Sequence, residues 1–239
     1  MTVAVTGNNG LMSQAHVLVS PSPLGARAQE FLTMHARVAP LEPGPSDDEC
    51  RAAMRSVLGY SDEGILATFQ RIQHRYSGLT YFSVFRQAEI LFEPTFEVDL
   101  DGNVVFAYAV MDATPDGCRS GSVRPDETVW FGFLDRDAPA FPSLDHFLEC
   151  DALLHHAHQQ RLLSTETPPD ANAYLTALRA RHPRLRPMNS ASGFSVGWWT
   201  DDERLVCING LEARLAADGH GMSPTPTVVT TWLIDESSR

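Results

Sequence analysis

The sequence predicts an α+β fold, with N-terminal helices followed by a mainly antiparallel sheet and flanking helices. Three observations carry this expectation. Up to about residue 77 the apolar residues recur at helical spacing. From Thr80 onward they alternate with a period of two, and turn dipeptides separate the runs. The segments never settle into the sustained strand–helix alternation that a parallel sheet needs. No internal repeat is present.

Residues 1–21 show little periodicity and hold Asn8-Asn9-Gly10 and Ser20-Pro21, which suits an extended arm. Ser22-Pro23 reads as an N-cap with proline at the first helical position. Leu24, Ala28, Phe31, Leu32, His35 and Val38 then line one face, and Pro40 stops the helix. Ser46 with Glu49 forms a capping box for a second helix, whose Cys50, Ala53, Met54, Val57 and Leu58 lead to a closing Gly59. A third helix begins at Ser61 as N-cap, with Asp62 and Glu63 in the first turn where the dipole favours them. Its apolar stripe is Ile65, Phe69, Ile72 and Tyr76, and Gly78 ends it in a left-handed conformation.

Residues 80–85 carry strand-type residues. Phe96, Val98 and Leu100 alternate with Glu97, Asp99 and Asp101, Asp101-Gly102 makes a hairpin turn, and residues 104–110 return. Residues 112–127, rich in Gly, Pro, Ser and Asp, read as a loop, and 128–134 as an aromatic strand. Ser143 caps a helix running to about Leu163, Pro168-Pro169 breaks the chain, and Ala171, Tyr174, Leu175 and Leu178 mark a short helix. Residues 194–199, 205–208 and 227–234 read as strands. The expected organisation is an arm over 1–21, an α+β domain over 22–164, and a helix-plus-strands extension over 165–239 packed on the same domain.

The hydrophobic fraction of 43% is ample for a core, and the formal charge of −12 opposes a nucleic-acid footprint while favouring a basic partner. All 18 basic residues are arginine. The lack of lysine excludes a Schiff base, a P-loop and a Ser-Lys dyad together. Cys50, Cys118, Cys150 and Cys207 are widely spaced, as reduced buried thiols would be. No apolar run has the length of a membrane span, and the first residues lack a basic start and apolar core. The expected setting is the cytoplasm.

Several short patterns resemble chemistry. Val3-Ala4-Val5-Thr6-Gly7-Asn8-Asn9-Gly10 begins like a dinucleotide loop, but Ser13 occupies the third glycine position and Pro21 and Pro23 leave no room for the required helix. No cofactor is expected. Gly193-Phe194-Ser195-Val196-Gly197 matches a nucleophile elbow, with Asp218 and His220 downstream; a strand with closely packed glycines is the simpler reading. His155, His156 and His158 share a helix with Asp151, a set that could hold a metal or simply form a solvated helix end. A small hydrolase using Ser195 and His220, or a metalloenzyme using the histidines, is thus the alternative to a non-catalytic binding domain. Glu97, Asp99 and Asp101, with Asp135 and Asp137, are expected to face one side of the sheet as an acidic surface for a partner protein.

The helix ending Arg75-Tyr76-Ser77-Gly78-Leu79, after Phe69, resembles the signature of the SMI1/KNR4 (SUKH) superfamily. The likeness continues through Trp130-Phe131-Gly132-Phe133 and Phe141-Pro142-Ser143 to a helix carrying Glu149 and Leu153-Leu154, and so spans roughly residues 60–160. Ser77 replaces the family's first glycine, and Gly64-Ile65-Leu66 stands where a Leu-Pro is usual. The resemblance implies a toxin-neutralising immunity protein whose partner is a toxin domain, often basic. It supplies no catalytic residues, and it implies structural roles for the matched Phe69, Tyr76, Gly78 and Trp130.

Overall fold

The computed structural model describes residues 15–98, 102–111, 120–133, 136–217 and 226–234. The chain opens with α1 (Ala26–His35), α2 (Asp47–Leu58) and α3 (Glu63–Tyr76). The first helix is shorter than its apolar stripe predicts. Residues 21–24 make a turn closed by Leu24 N–H to Pro21 O (2.9 Å), so Gly25 and not Ser22 precedes the helix. At the other end Arg37–Val38 leaves the helix to pair with a strand. In α2 the capping box is present, with Ser46 N–H donating to Glu49 (2.7 Å) and Glu49 N–H to Ser46 Oγ (3.4 Å). Ser46→Ala will cost about 1 kcal/mol by urea titration; an unchanged midpoint would mean that the box contributes nothing. α3 is capped by Asp62 in place of Ser61: its Oδ1 accepts from the N–H groups of Gly64 and Ile65 (2.7 and 3.2 Å).

Seven strands follow one another as a meander: β1 (Arg37–Val38), β2 (Leu79–Ser83), β3 (Ala88–Val98), β4 (Val104–Met111), β5 (Ser120–Val123), β6 (Val129–Phe133) and β7 (Arg136–Phe141). β5 lies within the segment expected to be a loop. Ser-Gly-Ser-Val has weak strand preference, but it is hydrogen-bonded on both sides, to β4 and β6, and pairing outweighs propensity. Pro94 sits where the β3–β4 register shifts between Leu91 and Thr95, as a residue without an N–H requires in a central strand. Pro139 lies in β7, the edge strand.

The helix after Ser143, α4 (Leu144–His158), stops short of Leu163, because residues 161–166 are taken into a second sheet. That sheet has the order β8 (Arg161–Glu166), β12 (Val228–Leu233), β11 (Arg204–Asn209), β10 (Val196–Thr200) and β9 (Arg186–Pro187), all antiparallel. α5 (Ala171–Arg181) and α6 (Leu211–Ala217) complete the described helices. One apolar core runs from Phe31, Phe69 and Phe106 through Phe147 and Leu153 of α4 to Trp198 and Trp232 of the second sheet. A small cluster of Leu178, Leu185, Val206 and Val229 seats α5 on that sheet's other face. Each sheet strand thus presents alternate residues to different layers, as Leu205 and Val206 do. Cys50, Cys150 and Cys207 are buried free thiols; Cys118 lies outside the described residues.

Candidate functional site

Ser195 lies in a bend that enters β10, after a 3-10 turn over Asn189–Ala191. An elbow needs a strand before the serine and a helix after it; here a strand follows instead. Ser195 Oγ donates to Pro139 O (3.4 Å) and accepts from Arg214 Nη1 (3.3 Å). Asp218 and His220 lie outside the described residues, as does the Val3–Gly10 stretch. The glycines of the pattern have a packing reason. A Cβ on Gly193 would lie 2.0 Å from Ala140 O, where the loop meets β7, and one on Gly197 would lie 2.2 Å from the Trp199 ring.

The histidines of α4 diverge. His155 is half-buried, its ring 4.5 Å from that of His35 on α1, and burial followed by the neighbouring His35 lowers its basicity. His156 is half-buried and likewise depressed, by burial and then by Arg27. His158 is exposed, with its ring 6.1 Å from Trp232. Asp151 turns fully into the core, where it accepts from Tyr81 Oη (2.9 Å), Ser83 Oγ (3.0 Å) and Phe85 N–H (2.8 Å). Burial pushes its carboxyl up to about 6. Among the described residues no three His, Cys, Asp or Glu side chains converge on a metal-sized space.

Of the expected acidic surface, Asp99, Asp101 and Asp135 lie outside the described residues. Glu97 is exposed on β3, opposite Val105, while Phe96 on the other side of the strand packs on Phe69 and Phe106. Asp137 is exposed on β7, with β4, β5 and β6 between them. The structure therefore separates the two by roughly 19 Å at the usual strand spacing. It also places Arg124 Nη2 3.5 Å from Asp137, offsetting that charge.

What the structure assembles nearby is an open groove of about 610 Å³ at the end of the first sheet. Tyr60, in the α2–α3 connection, forms one wall, and the hairpin turn at Gly102 and the 124–126 turn form the others. Gly102 has φ +82° and abuts Leu58. The guanidinium of Arg124 lies 5.0 Å above the Trp130 ring. Trp130 Nε1–H donates to Thr128 Oγ1 (2.8 Å), which donates to Asp126 (2.6 Å), so the ring is held from its edge and its face. Tyr60 is 58% exposed. Phe69 and Tyr76 are core residues, whereas Trp130 is only half-buried and belongs to this groove. Tyr60, Arg124 and Asp126 were not legible as site residues; the Arg-Pro-Asp-Glu-Thr turn between two strands is the sequence signal for Arg124 and Asp126, and Tyr60 carries none.

Among the described residues no helix is long and apolar enough to cross a membrane. In comparison with known proteins, the chain matches no protein-family model, no curated protein and no solved structure.

Proposed function

We propose that this chain is a non-catalytic protein-binding domain and that the groove between Tyr60, Trp130 and Arg124 is its recognition surface. The carrying observation is that Trp, Tyr and Arg, the residue types that dominate binding hot spots, converge on one open groove, with Trp130 immobilised by its hydrogen bond and cation contact. The occupant is a basic protein. Exposed Asp126 and Glu97 stand on the groove's turn and the neighbouring strand, and the chain carries a formal charge of −12. The SUKH resemblance narrows that partner to a toxin domain neutralised in the cytoplasm.

The test uses the purified product of a toxin-like reading frame beside the gene. Trp130→Ala should weaken binding about 30-fold, equivalent to about 2 kcal/mol, and leave the urea midpoint nearly unchanged. Association should slow as salt rises past physiological strength, because exposed charges are screened within about 8 Å there. A basic toxin that binds the Tyr60→Ala/Trp130→Ala double variant as tightly as the parent would place recognition elsewhere.

A further inference from the structure

The turn that carries Asp126 to the groove also carries Glu127 to a second opening, a cleft of about 250 Å³ between α3, the start of α4 and β5. Its charged lining is balanced. Arg71 and Arg75, one helical turn apart on α3, supply two positive groups, and Glu127 and Asp145 supply two negative ones. Ile72, Val123 and Leu144 provide apolar surface between them.

The two ion pairs differ in exposure. At the mouth Arg71 pairs with Glu127, and both side chains are nearly half exposed. At the floor Arg75 is buried and fully engaged, with Nη2 on both Asp145 oxygens (3.2 and 3.4 Å), Nε on Tyr76 Oη (3.1 Å) and Nη1 on Ser20 O (3.3 Å). Tyr76 Oη donates to Asp145 (2.7 Å). Glu127 holds this position with φ +69°, a left-handed backbone where glycine or asparagine would be expected. The turn gains nothing from a glutamate there, whereas the cleft gains a carboxylate opposite Arg71.

We propose that this cleft binds a small zwitterion of the free α-amino-acid class. A simple anion meets arginines already balanced by carboxylates, and a simple cation meets the converse. A ligand bearing both charges parts the mouth pair and satisfies each half, its carboxylate on Arg71 and its ammonium on Glu127, with its side chain on the apolar strip. The volume agrees. It holds about eight waters at roughly 30 Å³ each, and lies below the ~300 Å³ at which sites for drug-sized ligands begin. This inference is independent of the groove and of the partner it binds.

The experiment titrates the full chain with each free L-amino acid, with the N-acetyl amides of those that bind, and with acetate and methylamine, by calorimetry and thermal shift. At least one amino acid should bind with Kd below about 1 mM and raise Tm, and its N-acetyl amide should bind at least about tenfold more weakly. Arg71→Gln should weaken binding about tenfold while leaving the urea midpoint near the parent's. Glu127→Gly separates the structural role from the binding one: it relieves the left-handed backbone and raises stability, yet binding falls. The proposal is overturned if no amino acid binds below about 1 mM, if acetate alone binds equally well, or if Arg71→Gln and Glu127→Gly bind as the parent does.

Discussion

Replacing Gly78 by valine will lower the stability of this protein by about 2–5 kcal/mol, and asparagine will not rescue it. Two independent constraints meet at this residue. Its φ is +78°, which costs an L-residue roughly 1–2 kcal/mol. A Cβ there would also lie 2.6 Å from Ala39 O, and forcing atoms into a filled space typically costs about 1–3 kcal/mol more. The backbone cannot retreat, because Gly78 N–H donates to Phe92 O (2.9 Å) and Gly78 O accepts from Ala39 N–H (2.7 Å). The glycine is thus the stitch between α3, β1 and β3 more than a helix cap; the last helical turn is closed by Ser77 N–H to Gln73 O (3.0 Å). Gly59 supplies the internal control. It has φ +79° but open space around its missing side chain, so Gly59→Ala should cost only about 1 kcal/mol. Urea midpoints for the parent and the variants decide the matter. If Gly78→Asn matches the parent, or if Gly59→Ala and Gly78→Ala are equally harmful, the close approach to Ala39 has no energetic weight.

Removing the Asp151 side chain will be as damaging for a different reason. Asp151→Ala leaves the donors of Tyr81, Ser83 and Phe85 facing a dry void, at about 3 kcal/mol or more. Asp151→Asn keeps one oxygen for Ser83 and Phe85, and its amide can donate to the Tyr81 hydroxyl, so its cost should be nearer 1 kcal/mol. The pH dependence has a defined sign. Burial raises this carboxyl from 3.8 to about 6, so the folded chain binds the proton more tightly than the unfolded one. The stability it contributes is fully present below about pH 3.8 and is lost as pH rises through about 6. The depressed His155 and His156 act in the opposite sense, with stability present above their ordinary range near 6.5 and lost on acidification. Subtracting the Asp151→Asn curve from the parent's cancels the histidines. The difference should favour the parent by about 2 kcal/mol more at pH 4 than at pH 7, since at pH 4 the unfolded carboxyl is already partly ionised and less than the full two-unit shift is felt. A flat difference would show that Asp151 titrates as an ordinary surface acid.

Local chemistry made much of the fold legible. The Ser46/Glu49 box, the left-handed Gly59 and the Ser143 cap each depend on a few neighbouring residues, and each lies where the sequence places it. The β3–β4 turn at Gly102 and strands β10, β11 and β12 were readable for the same reason: alternation and turn dipeptides are short-range signals. Ser61 yielded to Asp62 because adjacent capping residues compete, and hydrogen-bond geometry chooses between them. Among the elements that escaped, β5 and β8 have no local reason to be strands. Ser-Gly-Ser-Val is a strand because β4 and β6 flank it, and Arg161–Glu166 leaves the helical pattern because β12 offers it a ladder.

The candidate sites divide along the same line. By itself the sequence determined the α+β class, the lack of lysine chemistry, the acidity, and the residues able to carry a function. Only the tertiary structure decided which of them meet. It sends Asp151 inward and His158 outward from one helix, sets Glu97 and Asp137 on opposite sides of a three-strand span, and gathers Tyr60, Trp130 and Arg124 from the α2–α3 connection, strand β6 and the turn before it. The physical reason is range. Capping and alternation act over a few residues, whereas a site is a set of contacts between residues tens of positions apart, fixed only when the strands choose their order and the core closes.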